Sequence, residues 1–303
     1  RSDDTFGGVF GVTKGLAKKY SRKRVIDTPI AEHITLSTAV GAAATGLRPI
    51  AELMFNDFIG FGLDPILNQG AKMRYMFGGK AKIPLVVRTV HGAGASAAAQ
   101  HSQSLYNMFA AIPGVKVVVP SNPYDAKGLL MSAIQEDNLV VFSEDKTLLG
   151  QKGNVPEEPY TIEIGKANVT REGDDLTIVA IGKMVAVAEE TAEKLAEDQV
   201  SVEVIDLRSV SPWDQETVLD SVKKTGRLIV IDESNPQCNI AGDVASVIGD
   251  VGFDYLDGPI KKVTAPDTPV PFAANLEAAY MPNADKVLDI ASELIDDLKK
   301  ANA

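Results

Sequence analysis

Cysteine is almost missing from this 303-residue chain, Cys238 being the only one. No disulfide can close within the chain, and a reducing compartment, the cytoplasm, is the expectation. The segment Asn235-Pro236-Gln237-Cys238-Asn239 offers that thiol no histidine. Histidine is scarce too: His33, His91 and His101 are the three present, and the last two lack ligand spacing to any Cys, Asp or Glu, so no metal site is read. No apolar run approaches the roughly 18–20 residues that span a bilayer. Arg1-Ser2-Asp3-Asp4 is unlike a signal peptide, and without an initiator methionine the chain reads as lacking an upstream piece. A net charge of −11 excludes a general binder of nucleic acid or anionic membrane. Neither a Gly-x-Ser-x-Gly elbow nor a Gly-x4-Gly-Lys-Ser/Thr loop occurs, which removes the α/β hydrolases and the P-loop enzymes.

What is present is 45% hydrophobic and long enough for two domains. Apolar β-type runs alternate with helical stretches, the pattern of parallel α/β sheets. Strands are expected at Arg24 to Asp27, Pro49 to Glu52, Ile83 to Thr89, Val115 to Val119 and Val140 to Ser143. Helices are expected from His33 to Ala44, Pro65 to Phe77 and Asp125 to Glu136, the last capped from Ser121-Asn122-Pro123. From Gly150 to Tyr160 the composition turns to Gly, Pro, Glu and Asn, as in a linker. Beyond it come strands at Leu176 to Ile181, Ser201 to Asp206 and Arg227 to Ile231, and helices at Met184 to Glu197 and Pro212 to Lys224. Ser211 reads as the cap of the latter and Pro212 as its first residue. The expected division is 1–155, a linker over 156–175, and a smaller α/β domain over 176–303, with the chemistry mainly in the first.

Glu32 ends the segment Asp27-Thr28-Pro29-Ile30-Ala31-Glu32, just before a helix of small residues. Such a carboxylate either serves a site at a strand end or complements the helix dipole. The aromatic cluster Phe55, Phe58 and Phe61 reads as a stacking platform or as core. Gly92-Ala93-Gly94-Ala95-Ser96-Ala97 imitates a dinucleotide fingerprint, but no acid follows until Asp125 to hold a ribose, so a nicotinamide oxidoreductase is disfavoured. Gln100-His101-Ser102-Gln103 places a histidine in a polar setting suited to acid or base work. Between Asp64 and Asp125 there is no acid, while Lys72, Arg74, Lys80, Lys82, Arg88 and Lys116 fall inside; these are either scattered lysines and arginines or a face for a phosphate-bearing ligand or an acidic partner.

Several motifs occur together and in order: Asp27 to Glu32, Gly46-Leu47-Arg48-Pro49-Ile50-Ala51-Glu52-Leu53-Met54 with Phe58, Gln100 to Gln103, Pro120-Ser121-Asn122-Pro123-Tyr124-Asp125, and Thr264-Ala265-Pro266-Asp267-Thr268-Pro269. In this the chain resembles the β subunit of the thiamine-diphosphate-dependent first component of 2-oxo-acid and acetoin dehydrogenase complexes. Ala51 to Gly60, Gln69 to Lys72 and Val118 to Pro123 look most like the acetoin branch. A pyruvate or branched-chain 2-oxo acid is the alternative substrate, and a non-catalytic assembly subunit the alternative of another class.

The resemblance implies a transketolase-like α/β fold: a parallel-sheet pyrimidine-binding domain plus a smaller α/β C-terminal domain. It implies α2β2 assembly, thiamine diphosphate shared with the α subunit, and a lipoyl-bearing acyltransferase core as acceptor. Glu32 would hydrogen-bond the aminopyrimidine, Phe58 would stack on it, Met54 would line the pocket, and His101 would be the acid or base near the thiazolium. The Gly-Asp-Gly motif that serves Mg2+ is missing, since Gly242-Asp243-Val244 and Gly249-Asp250-Val251 fail at the third position, so the metal is expected on α. Ser37 and Gly41, four apart, suit close helix approach. His33 beside Glu32 departs from relatives, either tuning the carboxylate or pointing away, and relatives begin further upstream.

Overall fold

The computed structural model describes residues 7–301, with side chains through 295; the Arg1-Ser2-Asp3-Asp4 terminus lies outside the described residues. Ten strands occur among them: β1 (Ile50–Phe55), β2 (Val86–His91), β3 (Lys116–Val118), β4 (Val140–Asp145), β5 (Asn168–Arg171), β6 (Leu176–Ala180), β7 (Val202–Asp206), β8 (Ser209–Ser211), β9 (Leu228–Asp232) and β10 (Lys261–Thr264). They form two five-stranded sheets, ordered β1-β2-β4-β3-β8 and β10-β9-β6-β7-β5. Pairing is parallel except at β8 and β5, which close one edge of each sheet antiparallel. All six positions of β2 are buried, as befits a central parallel strand covered on both faces.

The two halves interlock. Although it follows β7 in sequence, β8 completes the first sheet, pairing Ser211 with Val117 and Ser209 with Val118. One hydrophobic core joins Leu53, Val87 and Val141 of the first sheet to Val179, Ile205 and Val230 of the second. The opposite face of the second sheet, with Ile178, Val204 and Ile229, packs with helices Met184–Glu197 and Ala284–Ala301 through Ala188, Val287 and Ala291. The stretch 156–175 lies along helix Pro123–Gln135: Tyr160 stacks on Tyr124 at 4.6 Å, Ile162 and Ile164 join the core beneath, and β5 falls within it.

Three local expectations are corrected. Arg24 to Asp27 is not a strand but turn and irregular backbone, because all but Val25 is exposed and neither face is covered. The helix expected over Pro65 to Phe77 is broken: Pro65–Gly70 forms wide turns and Met73–Met76 a separate short helix. Gly70 presses so closely that a Cβ would lie 2.5 Å from Leu139. Ser211 belongs to β8, so the helix after it starts at Gln215, with Asp214 as cap accepting from Thr217 N. The cap of helix Pro123–Gln135 is Asn122, which accepts from Asp125 N at 2.9 Å, a bond worth about 1 kcal/mol.

Candidate active site

Glu32 opens the helix Glu32–Ala44, whose N-cap, Ala31, has no side chain to offer. With the expected strand absent, the carboxylate stands where an irregular segment enters a helix, half-buried and in the first turn, where it complements the dipole. Its neighbour His33 is exposed. Gly62, in the helix Ile59–Asp64 that starts directly after Phe58, abuts this turn: a Cβ there would lie 2.3 Å from Leu36 Cδ1 and 3.8 Å from the Glu32 carbonyl. A side chain at position 62 would have to displace the buried Leu36 methyl, so glycine eases the approach of the Phe58 segment to the helix that begins at Glu32.

Phe58 and His101 meet. Their ring centroids are 5.3 Å apart at 87°, and Phe55 closes the group at 4.9 Å from His101 and 6.1 Å from Phe58. These edge-to-face distances are those of favourable ring pairs. Met54 is half-buried on a bulge, for the register of β1 on β2 shifts between Leu53 and Phe55. Behind the rings, buried Lys146 donates to the His101 carbonyl and to Ser102 Oγ. Burial lowers the pKa of that ammonium. Asp57 takes both Gln103 N and Gln103 Nε2, at 3.1 and 3.0 Å.

A buried ionic cluster beside this loop was not foreseen. His91 at the end of β2, Asp145 at the end of β4, Lys183 after β6 and Glu233 after β9 converge there. Lys183 Nζ lies 3.1 Å from Asp145 and 2.5 Å from Glu233, and also donates to the Ala93 carbonyl at 2.7 Å. His91 Nδ1 is 2.8 Å from Ser143 Oγ and Nε2 is 3.5 Å from Glu233. Burial pushes the His91 imidazole down to about 4, so the ring is neutral at pH 7. Burial opposes the charge of Lys183, but its two carboxylates more than offset this and raise its pKa. Of those two, Asp145 is held below its ordinary range, burial being outweighed by Lys183, whereas burial pushes Glu233 up to about 7. His91, Asp145 and Glu233 have ligand atoms within 4.8 Å of one another, yet the Lys183 ammonium bonds both carboxylates where a cation would sit. The cluster carries its own counter-ion.

Two signals marked these residues in the sequence: each follows or ends an apolar strand run, and carboxyl ends of parallel strands are where ligand-facing groups collect. Five of the six cations in the acid-free interval are engaged within the chain. Lys72 donates to the Pro113 carbonyl and Arg74 to Asn138, while Lys82, Lys116 and Arg88 pair with Asp137, Glu136 and Glu144.

Residues 1–152 match the transketolase pyrimidine-binding domain and residues 165–287 the transketolase C-terminal domain. The acetoin:2,6-dichlorophenolindophenol oxidoreductase subunit beta of Bacillus subtilis is 57% identical over 97% of this chain and 86% of its own length. The subunit of the same name from Cupriavidus necator is 52% identical over 94% and 84%. The pyruvate dehydrogenase E1 component subunit beta of Bacillus subtilis is 44% identical over 96% and 89%. Among solved structures, a split gene transketolase described as an inactive beta4 tetramer superposes with a TM-score of 0.79 at 24% identity, covering 97% of this chain and 90% of its own, a likeness of fold. On a transketolase-like fold and with relatives this near along almost its whole length, the chain belongs to the β subunits of the first component of acetoin and 2-oxo-acid dehydrogenases.

Proposed function

We propose that this chain is the β half of a thiamine-diphosphate enzyme that cleaves acetoin, releases acetaldehyde and passes the remaining two-carbon unit to lipoamide on an acyltransferase core. The observation that carries the substrate is the 57% identity to a relative whose name includes acetoin, against 44% to one named for pyruvate.

The residues present fit the pyrimidine half of the cofactor. A half-buried carboxylate, Glu32, opens a helix that packs beside the segment after Phe58, and the rings of Phe58, Phe55 and His101 cluster at the end of β1. When bound, thiamine diphosphate supplies an acidic thiazolium carbon that becomes the nucleophile and electron sink. Glu32 would hold a proton at the ring nitrogen it bonds, Phe58 would orient the flat ring, with Met54 beside it, and His101 would move protons to and from the substrate. Nothing in the chain offers the Gly-Asp-Gly metal motif, so the diphosphate and Mg2+ fall to an α subunit. A face suited to that partner is open: Ile34, Ser37, Thr38 and Gly41 are exposed on helix Glu32–Ala44, and a Cβ on Gly41 would meet nothing within 4 Å. An α2β2 assembly follows from that reading. Among the described residues no helix is long and apolar enough to cross a membrane.

Reconstitution tests the reading. The chain alone should show no turnover; with its α subunit, thiamine diphosphate and Mg2+ it should turn over acetoin faster than pyruvate or a branched-chain 2-oxo acid. Faster pyruvate turnover would reassign the substrate, and NAD reduction by the lone chain would overturn the proposal.

A further inference from the structure

The loop between Gly92 and Ser104 carries His101 but has no helix or strand of its own. Its backbone is left-handed at Gly92, Gly94, Ser96 and Ala98, with φ of 99°, 104°, 48° and 58°. Two of these four bear a Cβ, so the conformation is imposed by surrounding contacts rather than preferred by the residues. Lys146 and Asp57 of the first half hold its His101–Gln103 end, and the contacts on its Ala93–Ser96 stretch and on Ser104 come from the second half of the chain. Glu277, in helix Ala274–Tyr280, is 3% exposed, and both its oxygens are engaged: Oε1 accepts from Gly94 N and Oε2 from Ser96 N, each at 2.8 Å. Lys183 donates to the Ala93 carbonyl at 2.7 Å, and Ser104 Oγ donates to Glu233 at 2.6 Å. Gly94 is hemmed in besides, since a Cβ there would lie 3.3 Å from Thr147 and 3.5 Å from the Met281 sulfur.

We propose that Glu277, with Lys183 as a second anchor, is a positioning residue for His101: it pins the strained loop so that the imidazole stays packed against Phe55 and Phe58. A charged carboxylate accepting two backbone N–H groups makes the stronger kind of hydrogen bond, and its burial leaves no water to replace it. The C-terminal half then contributes to the chemistry without touching the substrate. This rests on the reading of His101 as the acid–base group.

The test pairs Glu277→Gln, which keeps the shape but one acceptor oxygen only, with Glu277→Asp, which keeps the charge at shorter reach. In the full chain without partner or cofactor, amide hydrogen exchange from Gly94 to His101 should quicken at least tenfold in Glu277→Gln, while β6 and β9 exchange as before. In the reconstituted holoenzyme kcat should fall at least tenfold with KM within about twofold, and Glu277→Asp should fall between. Exchange in the loop that does not change, or a loosened loop with unaltered kcat, would overturn the proposal. Should Glu277→Gln not fold, the same two readings on Glu277→Asp decide it. A wild-type complex inactive on acetoin would sink the functional reading instead, and the exchange comparison would still report whether Glu277 holds the loop.

Discussion

The rings of His101 and Phe58 meet nearly at right angles, 5.3 Å between centroids and 87° between planes. The pair exists because β1 and β2 are neighbours: the chain leaves the end of β1 into Phe58 and leaves the end of β2 into the loop that returns His101. A flat ligand lying against Phe58 is thereby brought beside an imidazole, whose two ring nitrogens can donate or accept hydrogen bonds.

Replacing Phe58 by Leu keeps the bulk and removes the ring. Aromatic pairs contribute about 0.5–1.5 kcal/mol beyond their area, so the apparent Kd for thiamine diphosphate should weaken roughly two- to tenfold in the reconstituted complex. The residue is only half-buried, and the Tm should hardly move. Cofactor titration by fluorescence quenching measures the first effect, and an unchanged Kd would leave Phe58 as ordinary core.

Glu32→Gln should lower turnover by about 10²- to 10⁴-fold, the scale of a positioned acid–base group, or roughly 3–5 kcal/mol of barrier. If the carboxylate serves only the helix dipole, its loss costs about 0.3–1 kcal/mol of stability and leaves kcat alone. Steady-state kinetics with thermal unfolding on the same variant separates the two. Near-full activity would return Glu32 to the cap reading.

Periodicity carried most of the fold. The runs at Val140 to Ser143 and Leu176 to Ile181 became β4 and β6, and Met184 to Glu197 is a helix between those same residues. It failed at Arg24 to Asp27, where four residues of strand character have no sheet face to cover, something a run's composition does not record. Ser211-Pro212 carried a sound local cap signal, but tertiary pairing with β3 took Ser211 for a strand. Of the site, the strand-end histidine and carboxylates were visible only as types. Lys183, Glu233 and Glu277 look like surface charges in a chain with 41 acids and 30 lysines and arginines; the meeting of both sheets' strand ends brings Lys183 and Glu233 to Asp145 and His91, while helix Ala274–Tyr280 sets Glu277 against the loop after β2.

His91 should set part of the acid stability. Burial lowers its folded pKa to about 4 against 6.5 in the unfolded chain, so between those values the unfolded state binds more protons. Stability is therefore lost as pH falls through that window, at up to about 1.4 kcal/mol per pH unit from this group. His91→Gln, measured by urea unfolding from pH 4 to 7, should narrow its stability deficit relative to wild type as the pH drops. A deficit constant with pH would show that His91 titrates alike in both states.

Asp206 should act with the opposite sign. Burial raises its carboxyl to about 7, while the Ser121 hydroxyl and the Arg208 N–H, both donating to it, oppose the rise and nearby Asp125 adds to it. A carboxyl whose folded pKa lies above its unfolded value binds its proton more tightly in the native state. Its contribution is therefore whole below about pH 4 and is lost as pH climbs toward 7. Asp206→Asn cannot ionise, keeps an acceptor for Arg208 N, and can donate to Ser121 in place of accepting from it. Relative to wild type this variant should gain stability as pH rises from 4 to 7, by up to about 1.4 kcal/mol per unit. The Arg208–Asp125 pair at 2.7 Å remains to join the two halves, so the fold should survive the change. Urea unfolding of both proteins across that range is the measurement. If the difference stays flat, Asp206 is already ionised in the native protein, and the buried contact between Ser121 and Asp206 holds a charge.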